Sequence, residues 1–142
     1  MMKLTGIKVL DLSRFLPGPH LAMMMADHGA EVIKIEPSGG ESSRTVGPFL
    51  DDIPHRERSL SFWHYNTSKQ GITLNLENAD GRDLFRRLAA TADVILETFA
   101  PGYLSSLELG YETLSESNSG LIMCSLTPFG QTCLLYTSPS PR

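Results

Sequence analysis

The stretch Gly6–Glu36, GIKVLDLSRFLPGPHLAMMMADHGAEVIKIE, constrains the fold more than any other part of the chain. Ile7, Val9 and Leu10 form a short apolar run that ends at Asp11 and Leu12. Pro17-Gly18-Pro19 follows. A proline presets φ and has no N–H to donate, so both prolines suit a helix start, where that N–H has no intrahelical partner. Leu21, Met24, Met25 and His28 recur at i, i+3, i+4 and i+7, which predicts one apolar helix face. Gly29 stands where a helix ends and a positive φ is wanted. Val32, Ile33 and Ile35 predict the next strand. Strand, helix and strand within about 30 residues make a βαβ unit, with parallel strands and a right-handed crossover. Ligands of such sheets bind beyond the carboxyl ends of the strands. Ser13–Pro19 and Glu36–Gly40 are therefore expected side by side at a binding edge.

The rest of the chain continues this alternation. Pro37–Ser59 reads as a long loop of the kind that is functional or disordered. Leu60–Asn66 (LSFWHYN) predicts a short helix or turn on the core. Gly71–Leu76 alternates Ile72, Leu74 and Leu76 with polar residues and predicts a strand. Asn78 or Asp80 is placed to cap a helix over Asp80–Thr91, with Leu84, Phe85 and Leu88 inward and Arg82, Arg86 and Arg87 in water. Asp93–Glu97 (DVILE) predicts a buried parallel strand and Gly120–Leu126 (GLIMCSL) another, with short helices over Tyr103–Leu109 and Glu112–Ser117 between them. Strands alternating with helices give an α/β layer fold. The last ten residues, CLLYTSPSPR, have no helical period and resemble translated sequencing adaptor; native sequence is expected to end at Thr132, leaving 133–142 as a non-native tail.

Bulk properties narrow the function. A chain of 142 residues can bury one real core. A net charge of −4 offers no nucleic-acid surface, which needs clustered Lys and Arg. No apolar run approaches a signal peptide or a membrane span. Cys124 and Cys133 give neither a disulfide framework nor metal spacing, which fits a reducing, cytosolic setting.

Single motifs favour structural roles. The G-x-G-x-x-G dinucleotide fingerprint is absent, and Leu16-Pro17-Gly18-Pro19 removes N–H donors that a pyrophosphate needs. His20, His28, His55 and His64 lack zinc-hydrolase spacing, and His28 fits a helix C-terminus. Asp11 at a strand end is read as a cap on the following turn rather than a base. Ser13, Ser68 and Cys124 have no visible base, and Cys124 reads as a small buried hydrophobe. Arg44, Arg56, Arg58 and Lys69, in or beside the long loop, could grip a phosphorylated ligand or simply be solvated.

The ordered set of motifs resembles the amino-terminal part of the class III coenzyme A transferases, the family of formyl-CoA transferase and the CaiB/BaiF proteins. The residues carrying it are Gly6–Ser13 and Pro17–Pro19, then Ala26–Arg44 (ADHGAEVIKIEPSGGESSR), Asn66–Leu76 (NTSKQGITLNL), Ala79–Gly102, Leu109–Tyr111 and Leu121–Thr132 (LIMCSLTPFGQT). The resemblance implies a Rossmann-like parallel sheet with flanking helices and, in the full-length enzyme, an interlocked homodimer. It implies transfer of coenzyme A between an acyl-CoA and a carboxylic acid, with CoA as substrate and no permanently bound cofactor. An Asp nucleophile carries the covalent intermediates. That Asp lies downstream of the segment matched by Pro128–Thr132, so residues 1–132 are expected to be a CoA-binding part that is inactive alone.

By position, the family's CoA contacts fall on Leu16, Pro17, Pro37, Leu74, Asn75, Leu76, Glu77, Thr98, Phe99 and Ala100. Phe99 and Leu74 are suited to sandwich an adenine ring, and the Leu16 backbone to meet pantetheine amides. Glu77 and Pro37 stand where the family often has cations, and Thr98 where Asn is frequent. Arg44 or Lys69 is therefore expected to supply the phosphate contacts. Two alternatives stay open: a 2-methylacyl-CoA racemase of the same fold, and a non-catalytic nucleotide-binding α/β module.

Overall fold

A computed structural model describes residues 2–132, so the expected tail at 133–142 lies outside the described residues. Five parallel strands form one sheet: β1 (Lys8–Asp11), β2 (Glu31–Glu36), β3 (Gln70–Thr73), β4 (Val94–Glu97) and β5 (Ile122–Ser125), in the order β3-β2-β1-β4-β5. The order reverses between β1 and β4, where Leu10 stands opposite Ile95. An open α/β sheet binds its ligands at such a switch point.

Strand periodicity sorts the core into two layers. On one face Val9, Val32 and Leu96 pack against Ala22 and Ala26 of helix α1 (Pro17–Asp27). On the other, Leu10, Ile35 and Ile95 meet Phe85 and Ala89 of α3 (Ala79–Ala89), with Leu104 of α4 (Tyr103–Ser106) and Leu114 of α5 (Tyr111–Ser117). Asn78 caps α3, its Oδ1 accepting the Gly81 N–H at 2.8 Å.

Several expectations are corrected. The buried line of α1 is Gly18, Pro19, Ala22 and Ala26, while Met24 is exposed and His28 lies past the helix end. Small side chains let this helix approach the sheet closely, so its longer residues flank the contact. On α3, Gly81, Phe85 and Ala89 face inward and Leu84 is exposed. β3 is an exposed edge strand ending at Thr73, and Leu74 and Leu76 pack just beyond it. β5 is the other edge; Ile122 is exposed, so it is not a buried strand. The long loop carries three short 3-10 turns, Ser42–Thr45, Leu50–Asp52 and Arg56–Arg58, and then helix α2 (Leu60–Tyr65). His28 does sit at the α1 C-terminus, its Nδ1 2.8 Å from Met24 O.

Candidate functional site

The expected edge forms. Asp11 ends β1 with its carboxylate fully buried, and Oδ1 accepts the Ser13 N–H at 3.0 Å and the Ser13 hydroxyl. That is the turn cap read from the sequence. Oδ2 adds what the sequence did not reveal: Lys69 Nζ at 2.9 Å and Lys34 Nζ at 3.7 Å. Lys34 is the strand partner of Asp11, and its buried ammonium also reaches Ser13 O and, at 3.5 Å, Glu41. Glu41 accepts the Phe15 N–H at 3.1 Å and gives its own N–H to Glu36 Oε2 at 2.9 Å. The β1–α1 turn and the start of the long loop are thereby tied together.

Arg44 completes this network. Its Nε and Nη2 grip both Glu36 oxygens at 2.6 and 2.8 Å, and its guanidinium stacks 3.8 Å from the Phe62 ring centroid. Burial alone would raise the Glu36 carboxyl; the Arg44 bonds, the Glu41 N–H and the nearby positive charges outweigh it and hold it below its ordinary value. Burial lowers the Lys69 ammonium, against the pull of Asp11. Lys69 gives its three protons to Asp11, Pro19 O and Asn66 Oδ1, each at 2.9 Å. Both cations expected to meet phosphate are thus engaged within the protein, and neither lines the pockets below.

Gly18 explains why the turn needs PGP. A Cβ there would lie 2.1 Å from Ser13 Cβ. Phe15 holds φ at +60° with its side chain largely exposed. That left-handed conformation is costly for a side chain with a Cβ and recurs at ligand sites.

Two pockets open on this edge and meet at Arg14 and Phe99. The smaller, about 120 Å³, is lined by Leu12, Ile35, Pro37, Leu74, Asn75, Leu76, Glu77, Phe99 and Tyr103, with Glu36 and Glu41. The larger, about 810 Å³, is lined by Phe15, Pro17, Thr98, Phe99, Ala100 and the segment after β5, Leu126–Pro128. Leu16 instead faces a third hollow, with Phe15, Val46 and Tyr65. The edge therefore brings together nine of the sequence-predicted contacts, six in the smaller pocket and four in the larger, with Phe99 in both. Burial, together with the hydrogen bond Tyr103 donates to Glu77, raises its phenol above the ordinary value. Arg14, Lys34 and Glu41 were missed. The signal for Lys34 was present: Asp11 and Lys34 interrupt their strands at the same phase as Val9 and Val32, on the face toward α1.

Comparison with known proteins supplies the family. The profile of CoA-transferase family III matches residues 4–140. A succinyl-CoA:(R)-benzylsuccinate CoA-transferase subunit from Thauera aromatica is 42% identical over 132 residues, 93% of this chain and 32% of the relative. A human succinyl-CoA:glutarate CoA-transferase is 41% identical, over 91% of this chain and 29% of that protein. Among solved structures, a CAIB/BAIF family protein from Brucella suis superposes with a TM-score of 0.84 at 42% identity, covering 93% of this chain and 35% of that one. A hypothetical protein of Mycobacterium tuberculosis gives a TM-score of 0.86 at 34% identity, covering 99% and 37%. The chain spans about a third of the length of the curated relatives it matches.

Proposed function

The chain belongs to CoA-transferase family III, and from that premise we propose that the whole protein moves coenzyme A from an acyl-CoA to a free carboxylic acid. The observation that carries this reading is the pair of pockets meeting at Phe99 over the carboxyl ends of the strands. The adenine enters the smaller pocket, between Leu74 and Phe99, with Pro37 and the 75–77 backbone at its rim. The pantetheine arm runs past Thr98, Ala100 and Pro17 along the larger one. Leu16, exposed on the same turn, faces the neighbouring hollow. Arg44 and Lys69 act through Glu36 and Asp11, fixing the loops that shape the pockets.

The covalent step is assigned to an Asp downstream of Thr132, in the manner of the family. Its carboxylate attacks the thioester carbonyl and expels the CoA thiolate, which then returns to the aspartyl carbonyl and frees the first acid; the acceptor carboxylate attacks this aspartyl thioester, and the thiolate it expels takes the acceptor's acyl group from the new anhydride and frees the Asp. Residues 2–132 bind and orient CoA and supply no nucleophile to this sequence of steps. An interlocked homodimer and a reducing, cytosolic setting belong to the same reading. Among the described residues no helix is long and apolar enough to cross a membrane.

The test is CoA exchange between succinyl-CoA and a panel of free acids by the full-length protein, alongside calorimetric titration with CoA. Saturable binding with exchange is expected. Binding without exchange would favour a racemase or a plain binding module, and proton exchange at the α-carbon of a 2-methylacyl-CoA separates those two. No binding would contradict the proposal.

A further inference from the structure

Arg14 stands at the seam of the two pockets. Its backbone N–H donates to Thr98 Oγ1 at 2.8 Å, and its guanidinium carbon lies 5.0 Å from the Phe99 ring centroid. The stacking sets the plane of the guanidinium but leaves its N–H groups for another acceptor. Among the described residues no carboxylate comes within ion-pair distance of it, whereas Lys34, Arg44 and Lys69 are all paired. Among the described residues the larger pocket has no other charged residue in its walls. It also holds Thr127, whose Oγ1 is buried without a hydrogen-bond partner among the described residues. A buried hydroxyl left unpaired calls for a group to meet it.

A neutral pocket with one planar cation suits an oxyanion, which a guanidinium grips through two parallel N–H bonds. The smaller pocket does not, because Glu36, Glu41 and Glu77 share its wall. We infer that Arg14 is the anion-recognising residue of this site, holding a phosphate or carboxylate oxygen of the substrate in the larger pocket. The inference rests on the coenzyme A reading above. It names the cation that Pro37 and Glu77 do not provide.

The phosphates of CoA and the carboxylate of a dicarboxylic acid present the same chemistry, and the full-length protein can separate them. Calorimetry compares CoA with pantetheine, which carries no phosphate; steady-state kinetics compare dicarboxylic with monocarboxylic acceptors. If the anion is a phosphate, Arg14→Ala weakens CoA about tenfold or more and leaves pantetheine within about twofold, the size expected for losing a charged hydrogen bond. If it is the acid's carboxylate, CoA and pantetheine hold while KM for dicarboxylic acceptors alone rises about tenfold. In either case Arg14→Lys, which keeps the charge but not the two parallel N–H bonds, recovers only part of the loss. Unchanged CoA affinity together with unchanged KM for every acceptor overturns the inference. So does an equal loss for CoA, pantetheine and monocarboxylic acids, because packing alone predicts that. A wild-type protein that binds no CoA overturns the coenzyme A reading and this inference with it. A binding wild type with an equally good Arg14→Ala variant overturns only the role of Arg14.

Discussion

The two halves of the sheet's carboxyl edge are built on different principles. Over β1 and β2, three acids and three bases lie locked together: Asp11, Glu36 and Glu41 against Lys34, Arg44 and Lys69. Over β4 and β5 the larger pocket has, among the described residues, neutral walls broken only by Arg14, and the buried Glu97 is turned to the Phe99 N–H at 2.6 Å. A buried ion pair gains little net stability, because desolvation offsets the attraction, yet losing one partner strands the other at high cost. The charged half is thus suited to fixing loops in one geometry. The neutral half has unspent hydrogen-bonding capacity and is suited to an anionic group of the ligand.

Removing Asp11 should break this contrast most severely. Asp11→Ala leaves Lys34 and Lys69 buried with their central carboxylate gone, and a loss of about 3–5 kcal/mol is expected in urea unfolding. Thr98→Ala, on the neutral side, should cost well under half as much. Comparable losses would show that the two halves do not differ as described. Gly18→Ala tests the turn that joins them. A new Cβ 2.1 Å from Ser13 Cβ must push α1 or the turn aside, costing about 1–3 kcal/mol, and CoA affinity should fall with it. Full stability and affinity in that variant would remove the close approach from the account. Asn78→Ala serves as the contrast outside the edge: loss of the α3 cap should cost about 1 kcal/mol and leave CoA binding unchanged.

Acid should weaken the charged half in a defined direction. Glu36 titrates below the ordinary glutamate value of 4.5 when folded, so the unfolded chain takes up its proton first as pH falls. Its contribution is full above the unfolded value and is lost as pH drops through the folded one. Glu36→Gln should therefore flatten the acid limb of the stability–pH curve, and an unchanged limb would deny Glu36 its paired state.

Much of the fold was legible because it rests on local signals. The βαβ unit, Gly29 with φ at +101°, the Asn78 cap and the order of strands and helices all followed from apolar periods and turn residues. Helix faces were less legible where small residues set the contact. The Leu21–Met24–Met25–His28 stripe outranks Ala22 and Ala26 in hydrophobicity, but close approach to the sheet selects the smaller pair. The edge strands misled for a related reason: Ile122 and Ile72 look like core residues, and only the strand order places them at the margins. At the site, the pocket-lining residues Leu74–Glu77 and Thr98–Ala100 came from family resemblance. The pairing of Arg44 with Glu36 and of Lys69 with Asp11 could not be read from it, because a charge's partners are set by the fold. Lys69 meets Asp11 across 58 positions of sequence.

The most direct test is a crystal structure of the full-length protein with coenzyme A bound. The account predicts the adenine against Leu74 and Phe99, the rest of the ligand running along the larger pocket past Arg14, and Lys69 still bonded to Asp11. A phosphate seated on Lys69 or Arg44, with Asp11 or Glu36 released, would contradict it.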